Sequence, residues 1–129
     1  MSINKTYAVF GLGRYGRAVA EELVKNGADV IAVDRNEELV NDAAQFIPVC
    51  KCADITDPET IKRLGISNID VVIVDPPRKG LDNKTIDNLI RIKPRKIVYV
   101  SCNPATLVRD LQMLENAYNL KQIKNLIPL

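Results

Sequence analysis

The segment Gly11-Leu-Gly-Arg-Tyr-Gly16 constrains this chain more than any other. It follows a short apolar run, Lys5 to Phe10, and opens a stretch of helical character reaching about Asn26. A strand that turns into a helix within a few residues needs glycine where the backbone bends and where helix and strand touch. Gly11 permits the tight turn, Gly13 lets a ligand approach the backbone, and Gly16 lets helix and strand pack closely. The helix start then presents free N–H groups and a positive dipole end, which suit an anion such as phosphate. An acid, Asp34, stands at the end of the next apolar run, Asp29 to Val33, where it can accept hydrogen bonds from ribose hydroxyls.

The remaining chain alternates strand and helix signals. Asn36 caps a helix over about 37–45, and residues 48–52 form a third strand ending near Asp54. Asp57-Pro58-Glu59 is a strong helix start, and Gly65 ends that helix. Val71-Val-Ile-Val74 is a continuous β-branched run, as in a strand buried on both faces. A loop, Asp75-Pro-Pro-Arg-Lys-Gly80, leads to a helix from Asp82 to about Ile92. Lys96–Val100 is the fifth strand, Asn103-Pro104 starts a helix to about Ala117, and Leu120–Ile127 is a sixth strand. Ala18, Val19 and Leu23 are expected on the inner side of the first helix.

Short crossovers between strands require a parallel sheet with helices on both faces. The expected fold class is therefore α/β: a three-layer αβα, Rossmann-like, doubly wound parallel sheet. Its expected strand order is 3-2-1-4-5, with the sixth strand extending it to 3-2-1-4-5-6. With 129 residues, 47% of them hydrophobic, one domain over 1–129 is expected.

Composition removes several chemistries. There is no histidine, so Ser-His-Asp and Cys-His arrangements, His-ligated metals and a histidine pH switch are excluded. No metal site is expected. There is no tryptophan, and four Tyr and two Phe make a poor stacking platform, so RNA is not an expected partner. No apolar run reaches the ~18 residues of a membrane span, and the N-terminus has no signal-peptide core, so a cytoplasmic domain away from the membrane is expected. Cys50 and Cys52 share one face of a strand and are expected to be buried, reduced thiols. The net charge of +2 conceals an asymmetry: residues 1–74 carry 8 basic and 11 acidic side chains, and residues 75–129 carry 10 and 5.

Two family resemblances accompany these readings. Tyr7-Ala-Val-Phe-Gly-Leu-Gly-Arg-Tyr-Gly16, Val33-Asp34-Arg-Asn36, Ala53-Asp54 and Leu64-Gly65-Ile66 resemble the RCK (TrkA-N) domain, the cytosolic nucleotide-sensing domain of potassium channels and transporters. That resemblance covers residues 1 to about 74. It implies NAD, ATP or ADP on the glycine turn, with Asp34 at the ribose, Asp54 near the adenine and Arg14 reaching towards phosphate. Residues from about 70 to 129 resemble instead the RNA 5-methyluridine methyltransferases, through Asp75-Pro-Pro-Arg-Lys-Gly80, Val100-Ser-Cys-Asn-Pro-Ala-Thr106 and Arg109-Asp-Leu111.

The second resemblance implies S-adenosylmethionine as methyl donor and Cys102 as the nucleophile that adds to uracil C6, with Asp75 lining the pocket. The glycine turn of the first family stands where the second family's methyl-donor motif belongs, and that family's general base lies beyond residue 129. The expectation is therefore an engineered chimera joined within Ile69–Asp75, with Cys102 and Asp75 as vestigial catalytic residues and no turnover. NAD or ATP/ADP ranks ahead of S-adenosylmethionine as the expected ligand, and a monomer is expected. An RNA uracil-5-methyltransferase using Cys102 and a nucleotide-sensing regulator of potassium transport are the alternatives.

Overall fold

The computed structural model describes residues 5–65, 69–76, 80–100 and 110, and the backbone of 123–126. Cys102 and the helix expected from Asn103 lie outside the described residues, apart from Asp110, which is helical. The elements are β1 (Thr6–Phe10), α1 (Arg14–Lys25), β2 (Asp29–Asp34), α2 (Glu37–Ala43), β3 (Cys50–Cys52), α3 (Pro58–Arg63), β4 (Val71–Val74), α4 (Asn83–Ile92), β5 (Lys96–Val100) and β6 (Ile123–Leu126). All five strand pairs are parallel, and the sheet order is β3-β2-β1-β4-β5-β6.

Local chemistry sets the boundaries. Asn36 accepts hydrogen bonds from the N–H groups of Glu38 and Leu39 at 3.0 and 3.3 Å and starts α2. Asp57 accepts from Glu59 at 2.9 Å, with Pro58 as the first helical residue of α3. Asp82 caps α4 through Lys84 N–H at 2.8 Å. Each side chain satisfies N–H groups that a helix start leaves without a carbonyl.

The core divides between the two faces of the sheet, because successive strand residues point to opposite sides. Tyr7, Val9, Val30, Ala32, Val71 and Ile73 join Ala20 and Leu23 of α1 and Val40 and Ala43 of α2 on one face. Ala8, Phe10, Val33, Val72, Val74, Ile97 and Tyr99 join Ile86 and Leu89 of α4 on the other. Ile61 and Leu64, from α3 and its C-terminal end, pack against this second cluster. All four residues of β4 are buried, as its β-branched run requires. Strands β1 and β4 are neighbours in register, Tyr7 beside Val71 through Phe10 beside Val74. Asp70 fastens their starts: its carboxylate accepts Thr6 N–H at 2.9 Å, and Arg95 lies 3.7 Å away. The winding reverses between β1 and β4, and that point is where sheets of this type leave a crevice at their carboxyl ends.

Two expectations need correction. Ala18 is exposed; the buried positions of α1 are Gly16, Ala20 and Leu23. The close approach of Gly16 to β1 sets the helix phase, so positions four and seven residues later turn inward. Cys52 is exposed and Cys50 only half-buried, because β3 is an edge strand with a neighbour on one side alone. Burial still pushes the Cys50 thiol above its ordinary pKa.

Candidate functional site

Gly11 follows directly on β1, with φ of +105°, a conformation that side chains other than glycine rarely adopt. Its N–H donates to Val33 O at 2.9 Å, which draws the turn against the end of β2. Gly13 then occupies the N-cap of α1 with extended backbone and, having no side chain, leaves the helix start uncapped from within. The first turn of α1 also lacks an acidic residue.

The missing cap comes from elsewhere in the chain. Asp75, directly after β4, places Oδ2 2.9 Å from Gly16 N, and the N–H donates to it. The approach is close on every side. A Cβ built on Gly11 would lie 2.4 Å from the Asp75 carbonyl oxygen, and one on Gly16 only 2.0 Å from Gly11 O. The Asp75 carboxylate lies 3.3 Å from a Cβ built on Gly13 and 3.1 Å from one on Gly16. The absent side chains of the glycine turn thus make room for the end of β4. Burial, and secondarily the nearby Asp34 carboxylate, raises the Asp75 pKa above the ordinary range, while the Gly16 hydrogen bond opposes the shift.

Asp34 sits at the end of β2, where the motif puts it. Its Oδ2 accepts Leu12 N–H at 2.7 Å and its Oδ1 accepts Asn36 N–H at 2.8 Å. The carboxylate therefore fixes the glycine turn and the entry to α2, and each oxygen keeps a lone pair for an incoming hydroxyl. Asp54, beyond β3, accepts the Thr56 hydroxyl at 2.7 Å and the Thr56 N–H at 2.9 Å. These bonds, the hydroxyl's first, hold its pKa below the ordinary value.

These groups surround one cavity of about 460 Å³ at the carboxyl ends of β1, β2 and β4. Gly11, Gly13, Arg14, Asp34, Asp54 and Asp75 all line it, six of the seven described site residues singled out from the sequence. Gly16 lies just behind the wall, bonded to Asp75. Arg14 is exposed, its guanidinium 5.9 Å from the Tyr15 ring centre. Sequence reasoning missed three contributors from the back half: Leu81, Asp82 and Thr85 also line the cavity. It also missed what holds Leu81. Its N–H donates to the fully buried Asp110 carboxylate at 2.8 Å, and the Tyr99 hydroxyl donates to the same oxygen. No local signal marked Asp110, which follows Arg109 in a mixed polar and apolar stretch; its burial is decided by the tertiary packing. Among the described residues there is no cluster of ligands able to hold a metal, and no helix is long and apolar enough to cross a membrane.

A doubly wound sheet with a glycine turn at its switch point, an acid at the end of β2 and a crevice between them defines a Rossmann-like nucleotide-binding domain. The profile of the TrkA-N domain matches residues 7–117, and the chain belongs to that family. The chain is also similar to the tRNA (uracil(54)-C(5))-methyltransferase of Pyrococcus horikoshii, 40% identical over 113 residues, which are 88% of this chain and 26% of that protein. Among solved structures it resembles the Pyrococcus abyssi tRNA (uracil-54, C5)-methyltransferase in complex with S-adenosyl-L-homocysteine. That likeness has a TM-score of 0.67 and 32% identity, covering 88% of this chain and 28% of the other. The NAD(P)-binding domain of an exopolyphosphatase-related protein from Archaeoglobus fulgidus shares the fold, with a TM-score of 0.68 at 20% identity, over 94% of this chain and 86% of that one. The chain spans about a quarter of the methyltransferase relatives it matches. Both expected families are thus present, and the TrkA-N match runs past residue 74 into the back half.

Proposed function

We propose that the domain binds an adenine nucleoside or nucleotide at the glycine turn, as a monomeric cytoplasmic binding module without turnover. The single observation behind this reading is the cavity of about 460 Å³ that gathers the turn, Asp34 and the end of β4. Its size falls within the range of small-molecule sites. In this reading Asp34 holds the ribose hydroxyls and the adenine lies towards Asp54. The described lining offers carboxylates, two guanidinium groups and hydroxyls, which supply the hydrogen-bonding groups a nucleoside needs. The test is calorimetry with adenosine, ADP, NAD and S-adenosylhomocysteine on the intact chain and on Asp34→Ala. Heat from at least one of them, lost in the variant, is expected; absence of binding by all four at millimolar concentration refutes the reading.

An engineered junction near 69–75 belongs to the same proposal, supported by the change of charge there, from net acidic over 1–74 to net basic over 75–129. Aligning residues 1–74 and 75–129 separately with the methyltransferase relatives checks it, and equal identity in both halves refutes it. The 40% identity to a tRNA methyltransferase favours a second reading, an RNA uracil-5-methyltransferase acting through Cys102. It requires a covalent adduct with RNA containing 5-fluorouridine, absent in Cys102→Ala.

A further inference from the structure

Thr85 lies outside every motif that carried the two resemblances, yet it lines the cavity from the first turns of α4. It is 4% exposed, and no hydrogen bond among the described residues involves its hydroxyl. Helical threonine commonly satisfies its hydroxyl on a carbonyl one turn earlier, and Thr85 does not. Among the described residues no fully buried side-chain polar atom lacks a partner, so this hydroxyl keeps contact with open space, and the space beside it is the cavity. Asn88, one turn further along α4, donates from Nδ2 to Ile55 O at 2.6 Å and holds the same helix face against the loop 54–56. Ala53, Asp54, Ile55 and Thr56 also line the cavity, so α4 and this loop close one end of it together. Asp54 there is only half committed. Its Oδ1 accepts both the Thr56 hydroxyl at 2.7 Å and the Thr56 N–H at 2.9 Å, which uses both lone pairs of that oxygen and leaves Oδ2 as an acceptor. This end of the cavity therefore presents one oxygen that only accepts and one hydroxyl that can donate.

Resting on the adenine-site reading above, we propose that Thr85 is a base-selecting residue: its hydroxyl donates to ring nitrogen N1 of the bound purine, beside a 6-amino group that donates to Asp54 Oδ2. Together they fit an amino group next to an unprotonated ring nitrogen, which is the edge of adenine. A 6-oxo purine presents the reverse, an oxygen towards Asp54 and an N–H towards Thr85. The oxo group then meets the carboxylate with no proton between them, which leaves two acceptors face to face. A carboxylate with both oxygens free could clasp the paired N–H groups of guanine; Thr56 removes that option by occupying Oδ1. Thr85 thus contributes to recognition from the back half of the chain, and takes no part in bond making.

The test compares adenosine, inosine and 1-deazaadenosine, in which a C–H replaces N1, by calorimetry on the full chain and on Thr85→Val and Thr85→Ser. Valine keeps the branched shape and removes the hydroxyl; serine keeps the hydroxyl. Wild-type protein is expected to bind adenosine about fivefold more tightly than either analogue, the worth of one hydrogen bond. Thr85→Val is expected to weaken adenosine by about the same factor and to leave 1-deazaadenosine within about twofold, while Thr85→Ser stays within about twofold of wild type for adenosine. Because the hydroxyl has no partner in the protein, Thr85→Val should unfold at the wild-type urea midpoint or above it. Adenosine affinity unchanged in Thr85→Val overturns the proposal and leaves the adenine site standing. Equal losses of adenosine and 1-deazaadenosine in that variant also overturn it, since the hydroxyl would then act away from N1. A lowered urea midpoint in Thr85→Val would reveal a structural role and overturn it as well. Failure of wild-type protein to bind adenosine or either analogue removes the adenine site and the proposal together.

Discussion

Replacing Gly16 with alanine tests the central contact of this fold. The added Cβ would meet Gly11 O at 2.0 Å, Gly11 C at 3.1 Å and Asp75 Oδ2 at 3.1 Å. Restoring ordinary contact with the Gly11 oxygen requires α1 to withdraw from β1 by roughly 1.2 Å, since non-bonded heavy atoms settle only near ~3.2 Å or beyond. The atom in severe overlap, Gly11 O, is backbone, so no side-chain movement relieves it. Withdrawal loosens Ala20 and Leu23, the next inward residues of α1, and stretches the Gly16–Asp75 hydrogen bond. Overpacking of this kind costs about 1–3 kcal/mol, and a hydrogen bond to a charged group about 1.5–3 kcal/mol. Alanine returns about 1 kcal/mol through helix propensity. The net expectation is a loss of roughly 3 kcal/mol, a large share of the ~5–15 kcal/mol that holds a typical domain together. Urea unfolding followed by far-ultraviolet circular dichroism measures it, with an expected Tm fall on the order of 10 °C in a parallel thermal scan. Gly13→Ala is the internal comparison. Its nearest neighbour is the movable Asp75 Oδ2 at 3.3 Å, so its cost should stay below about 1 kcal/mol. A Gly16→Ala protein within 0.5 kcal/mol of wild type, or no difference between the two variants, would show that helix and strand do not meet as described.

Two further outcomes follow from the buried and half-buried carboxylates. Asp110→Ala should destabilise the chain by about 3 kcal/mol in urea, because Leu81 N–H and the Tyr99 hydroxyl both lose their acceptor inside the protein; a change under 1 kcal/mol contradicts the buried network. Asp75 and Asp70 should titrate on opposite sides of the ordinary carboxylate value near ~3.9. Burial raises Asp75, so its ionised form is disfavoured in the folded chain, and stability gains as pH falls through its folded value towards the ordinary one. The Thr6 N–H lowers Asp70, whose contribution is present above the ordinary value and lost as pH falls through its folded value. Carboxyl carbon shifts measured by NMR across the acid range give both midpoints, and the reverse order refutes these environments.

Much of this architecture is legible along the chain because its signals are local. Asn36, Asp57 and Asp82 start helices through groups two or three residues away, and Val71–Val74 is apolar at every position because both of its faces are covered. The glycine spacing and Asp34 lie within a single strand-helix-strand unit, so their meeting is foreseeable from sequence distance. Helix phase was less legible: Ala18 is as apolar as Ala20, and only the contact of Gly16 with the turn decides which one faces inward. The exposure of Cys52 likewise depends on β3 being an edge, which a three-residue run does not announce.

The sequence by itself determined the alternation of strands and helices, their caps, and a glycine turn suited to a nucleotide. The tertiary structure alone decided what occupies that turn. Asp75 and Gly16 are 59 positions apart, and they meet because β4 runs beside β1 in register and releases its next residue over the start of α1. Periodicity and capping act over a few residues. The pairing of distant strands is set by the burial of both sheet faces at once, and it is that pairing which brings the Asp75 carboxylate to the Gly16 N–H at the start of α1.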